Sequence, residues 1–258
     1  MGAGERGREN PAEAGAGPPL PRTSASLRPR PPAVSRFLSA AWAVFLNDAR
    51  LEIRTRTALG ALAMFVAASL VLVYLALGRT PVSTAVASAL LWVVIVFAGA
   101  VGLGRAFVAE EERGTTLLLR LAAPASAVYV GKLMFNVVLT LALALVAGAG
   151  MRVLIPTPLG APAVFWSGLV LGALGLASTT TLLSALLARA QAAGPLLPVL
   201  AFPLLVPLLA PAVGLTITAS GAEAGAWAAA QPDLVALGAY AGLTATASLL
   251  LFEYVWRD

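Results

Sequence analysis

Residues Ala58 to Gly78 read ALGALAMFVAASLVLVYLALG, twenty-one positions without a charge. A bilayer's hydrocarbon core is about 30 Å thick, and a helix needs roughly 20 apolar residues to cross it. The stretch therefore predicts a transmembrane helix, closed by Arg79-Thr80-Pro81. Five more apolar segments follow it: Val82 to Gly104, Val128 to Gly150, Pro162 to Leu187, Gly194 to Thr218 and Leu234 to Phe252. Each can span with some tilt. The expected fold is all-α, a polytopic membrane protein of six transmembrane helices.

Composition agrees. Of 258 residues 59% are hydrophobic and 11% charged, whereas soluble domains run near 45–50% and 25%. One membrane domain over residues 35–258 accounts for nearly all the apolar sequence. Cysteine and histidine are both absent. Their absence removes disulfides, thiolate metal sites, the usual general base and the commonest haem ligands, leaving Met or Tyr at best. No metal, no cofactor and no catalytic residue is expected on this chain.

Residues 1–34 form a Gly/Ala/Pro/Arg-rich tail without the apolar core of a signal peptide. Such a composition cannot bury enough surface to order itself, so a disordered tail is expected. A start site placed upstream of the natural one would look the same. The net charge of +5 suits an anionic membrane face, and no nucleic acid is expected as a partner. From Ser35 to Thr57, Leu38, Trp42, Phe45, Ala49 and Ile53 recur at helical spacing, with Asn47, Arg50 and Arg54 opposite. This predicts an amphipathic helix in the membrane surface, with Trp42 at headgroup depth. Glu52 and Arg56 fall on the apolar edge, where an i,i+4 pair is expected to soften the conflict. With the N-terminus in the cytoplasm, fifteen Lys and Arg lie inside and only Arg79 and Arg152 outside. The positive-inside rule then places both termini on the cytoplasmic side of the membrane.

No span centre carries Lys, Arg, Asp or Glu, so proton-coupled transport and intramembrane acid–base chemistry are disfavoured. There is no Walker sequence either. Any transport must draw its energy from a separate subunit. The loop between the second and third segments carries Glu110, Glu111 and Glu112, then Gly114 as a helix stop. Thr115 or Thr116 can cap a short helix through Leu117, Leu118 and Leu121, which Pro124 ends. It reads as a coupling element that presses into a groove on a partner, or as an ordinary loop whose leucines rest on the bilayer.

In the fifth segment Pro203, Pro207 and Pro211 recur at i, i+4 and i+8. They strand the carbonyls of Val199, Pro203 and Pro207, so one face is expected to be buried in protein or to line a cavity. The segment is a kinked pathway or hinge helix, or simply a bent packing helix. Gly168, Gly172 and Gly175, with Gly99 and Gly102, predict close packing within one subunit. Asn136 reads as interhelical glue.

This arrangement resembles the ABC-2 type exporter permeases. More closely, it resembles haem exporter protein B, the CcmB family. Arg50-Leu-Glu-Ile-Arg54 is similar to that family's Arg-Leu-Glu-Leu-Arg. The acidic run, Gly114 and the leucines to Pro124, followed by Ala125-Ser-Ala-Val-Tyr-Val-Gly-Lys132, resemble its loop into the third span, and residues 196–209 its proline-spaced fifth span. The likeness covers about residues 36 to 256; the tail before residue 35 departs from it. It implies a permease pairing with an ATP-binding cassette subunit, beside a haem-handling membrane protein of cytochrome c maturation, haem being transported or held by partners. A permease of the same fold exporting a drug, lipid or polysaccharide, and a non-transporting membrane assembly factor, are the alternatives.

Overall fold

The computed structural model describes Gly2 and residues 33–78, 82–102, 124–155, 157–187, 193–221 and 224–257. Contacts divide the chain into Met1–Pro32 and Ala33–Asp258, and every described helix belongs to the second unit. In chain order these are α1 (Ala33–Thr55), α2 (Thr57–Leu77), α3 (Thr84–Gly102), α4 (Ala125–Leu154), α5 (Pro162–Leu187), α6 (Ala193–Thr218) and α7 (Ala226–Arg257). Among the described residues there is no strand. Among the described residues five helices are long and apolar enough to cross a membrane, and the apolar run Thr84–Gly99 of α3 is shorter. The 19 residues of α3 rise about 28 Å at 1.5 Å each, close to one hydrocarbon thickness.

Each expected apolar segment holds a helix, but the third and sixth are longer than expected, α4 running on to Leu154 and α7 to Arg257. α4 starts at Ala125, because Pro124 presets an entry that Ala127 and Val128 N–H groups close onto its carbonyl at 3.0 and 3.1 Å. α7 starts at Ala226, two turns before the expected Leu234, and runs through Pro232. Pro232 is the seventh residue of the helix and cannot donate to the carbonyl of Ala228, yet the helix continues through it.

α5 is the central helix, packed against α3, α4, α6 and α7. Its glycines set the approach. A Cβ at Gly172 would lie 2.1 Å from Trp92 Cη2, one at Gly175 2.5 Å from Leu208 Cδ1, and one at Gly168 3.2 Å from Leu215 Cβ. Gly99 of α3 returns the contact, with its Cβ position 2.7 Å from Leu176 Cδ2. The expected small-residue packing within one subunit is therefore present. Trp92 is fully buried, and its indole N–H donates to Thr216 Oγ1 of α6 at 2.9 Å. The outer helices have the opposite character. Met64, Leu72 and Leu75 of α2 and Val235, Leu243 and Leu250 of α7 point outward, a surface that hydrocarbon solvates and water would not.

α1 and α2 are joined by one residue. Arg56 sits in the left-handed region at φ 54° and ψ 19°, and its N–H closes the last turn of α1 on Glu52 O at 2.6 Å. Glu52 Oε1 accepts the Leu59 N–H at 2.7 Å. The expected Glu52–Arg56 pairing is thus replaced by a cap, because the open N–H groups at the start of α2 lie within the carboxylate's reach.

Gly172→Ala is expected to cost about 1–3 kcal/mol through overpacking against Trp92. Thermal unfolding of the detergent-solubilised protein checks this, and Gly172→Ala combined with Trp92→Leu should lose less than the two single changes together.

Candidate functional site

The first turns of α4 bury three polar side chains, Lys132, Asn136 and Thr140. On one side they meet α1. Ala41, Val44 and Asp48 share one face of α1, at i, i+3 and i+7, and the first two are buried. Gly131 of α4 lets this face approach: a Cβ there would stand 2.6 Å from the Ala41 carbonyl and 2.7 Å from Val44 Cβ. One residue on, Lys132 Nζ meets Asp48 Oδ2 at 3.1 Å, with side-chain exposures of 2% and 12%. The other stripe of α1 stays open, including Leu38, Trp42 and Ile53. Trp42 stacks on Phe45 with ring centroids 5.0 Å apart, as suits a helix wetted by lipid on that side.

On its other sides α4 ties into the bundle. Asn136, one turn beyond Lys132, donates from Nδ2 to Thr181 Oγ1 of α5 at 2.7 Å, and its carbonyl accepts Thr140 Oγ1–H at 2.6 Å. Asn136 is therefore interhelical glue, as expected. The buried Tyr129 ring tilts against Phe252 of α7 at 5.0 Å.

α5 answers with the buried run Ser178, Thr179, Thr180 and Thr181. Their hydroxyls donate back to the carbonyls of Leu174, Gly175, Leu176 and Ala177 at 2.6–2.9 Å. Back-bonding lets a helix bury hydroxyls in an apolar bundle and leaves oxygen lone pairs for neighbours. Tyr240 of α7 donates its hydroxyl to Leu204 O of α6 at 2.7 Å and accepts at 2.8 Å from Thr179 Oγ1, whose one proton is shared with the Gly175 carbonyl. That carbonyl lies between Pro203 and Pro207. Three helices are clasped at the proline-rich turn.

Of the residues singled out from sequence, Glu110, Glu111, Glu112, Gly114, Leu117, Leu118 and Leu121 lie outside the described residues. Pro124 is exposed at the head of α4, and Arg50 and Arg54 are exposed on α1. Pro211 is buried, and Pro203 and Pro207 are exposed on the surface of this chain. The buried positions of α6 run Ala201, Leu205, Leu208, Ala212 and Leu215, which turns Pro203 and Pro207 to the far side of the helix. Asp48, Thr179, Thr181 and Tyr240 escaped the sequence reading. The signal available for Asp48 was its place on the Ala41 and Val44 face, together with the need of a span lysine for a counter-charge.

At the other end of the bundle a recess of about 20 Å³ is lined by Ser88, Arg152, Thr157, Thr216 and Ser220, among others. Arg152 Nη1 donates to Thr157 O at 2.6 Å and to its Oγ1 at 3.1 Å. The volume suits a water molecule, not a large cargo.

A family model described as CcmB protein matches residues 39–252. The chain belongs to the CcmB family. No curated protein matches it. The CcmB match begins inside α1 and ends at Phe252, so it encloses the Asp48–Lys132 pair, the segment before Pro124 and the Tyr129–Phe252 contact. With five helices long enough to cross and a sixth shorter apolar one among the described residues, this CcmB chain is a multi-pass membrane protein.

Gly131→Ala should lower the thermal midpoint, since the methyl meets backbone, whereas Gly60→Ala enters open space and should not. Tyr240→Phe should cost roughly 0.6–2 kcal/mol, and somewhat less in a Thr179→Val background, where the bond to Leu204 O remains; a double-mutant thermal series measures the coupling.

Proposed function

We propose that this chain is the membrane permease subunit of a haem exporter system serving cytochrome c biogenesis, driven by a separate ATP-binding cassette subunit. The family match over residues 39–252 carries the reading, because CcmB membership implies the permease component of such a system. The architecture supports it: a bundle of apolar helices preceded by a surface helix, with no Walker sequence to hydrolyse ATP. The surplus of Lys and Arg on one side supports an inner-membrane topology with both termini cytoplasmic.

The coupling role falls to the loop of residues 110–124. In this reading Leu117, Leu118 and Leu121 fill a groove on the ATP-binding subunit while Glu110, Glu111 and Glu112 meet basic side chains at its rim. Pro124 then hands any displacement to α4, whose first turns grip α1, α5 and α7. Haem is the substrate, moved by this subunit or held by a membrane partner whose loaded chaperone is released at the expense of ATP.

Pull-down of the tagged chain in mild detergent should recover an ATP-binding subunit and a haem-handling membrane protein. Charge substitution at Leu117, Leu118 or Leu121 should leave permease abundance unchanged and abolish cytochrome c assembly. Normal assembly in those variants would contradict the coupling role, and purification without any ATP-binding partner would contradict the permease reading.

A further inference from the structure

A buried ion pair in a bundle of this kind fixes geometry more than it adds stability, since apolar residues of similar volume often pack as well or better. Asp48 and Lys132 meet between two helices that are far apart in sequence and held at backbone contact by Gly131. The pair favours one register: sliding α1 along α4 by a turn would part Lys132 Nζ from Asp48 Oδ2. Asn136, one turn on, fixes the same stretch of α4 to α5.

We propose that the Asp48–Lys132 pair locks α1 to the first turns of α4, so that the surface helix and the head of the third span move as one rigid body during the transport cycle. This rests on the permease reading, in which force reaches α4 at Ala125. Lys132 and Asp48 are positioning residues: their role is to prevent slip between two helices. A purely structural pair would predict lost stability without a change in the α1–α4 distance distribution.

The natural absence of cysteine makes the test direct. Leu38→Cys on α1 and Val138→Cys on α4, both at exposed positions, carry a pair of spin labels in the full chain with its ATP-binding subunit. With the pair intact, a single narrow label distance is expected, the same without nucleotide and with trapped ATP. Lys132→Met should broaden or split it and lower the output obtained per ATP hydrolysed. The exchange Asp48→Lys with Lys132→Asp should restore the narrow distance.

A distance that shifts with nucleotide in the intact pair overturns the lock. So does an unchanged narrow distance in Lys132→Met. Should Lys132→Met fail to accumulate, the exchanged variant decides alone, and a broad distribution there refutes the proposal. Failure of the permease reading looks different: no ATP-binding subunit is recovered, yet the label width in the isolated chain still reports the lock.

Discussion

Hydrocarbon offers no hydrogen bonds, and that constraint organises this molecule. A polar group between the span ends must be answered by protein, or it exposes a cost of several kcal/mol to the lipid. The chain meets the demand locally where it can, with the hydroxyls of α5 folded back onto their own helix. Where it cannot, it meets the demand across helices, as Lys132 does with Asp48 and Asn136 with Thr181. These cross-helix answers concentrate at the end where α4 begins. The opposite end is held by different means, a buried indole standing on glycine and bonded to Thr216.

α5 illustrates how little hydrophobicity decides once water is absent. Leucines are as comfortable in lipid as in the bundle, so they do not select neighbours. What selects them is the shape left by Gly168, Gly172 and Gly175 and the hydroxyls of Thr179 and Thr181. The most buried helix is therefore rich in small and hydroxylated residues, and the helices with the largest aliphatic faces, α2 and α7, lie outside.

The fold was legible because span length is set by the bilayer and glycine spacing by helix geometry, so both are written in the order of residues. Six apolar runs and a preceding amphipathic stretch are enough to give the architecture. The site was less legible. Lys132 and Asn136 could be seen as polar intrusions, but their partners lie 84 and 45 residues away, and nothing local announces them. The prolines say less for a related reason: their spacing gives a shared face, not what covers it, and the buried positions of α6 turn Pro203 and Pro207 outward. Glu52 likewise had two acceptable partners in reach, a cation and a row of open N–H groups. Only the corner at Arg56 chose between them.

That corner has a mechanical consequence. With a single residue between two helices, the torsional slack is that of one φ,ψ pair, and Arg56 occupies a well that side chains other than glycine seldom visit. The Glu52 bracket on Leu59 N–H narrows it further. Such a joint behaves as a bell crank: roll of the helix resting on the membrane cannot be absorbed by a loop and must reappear as tilt in the first span.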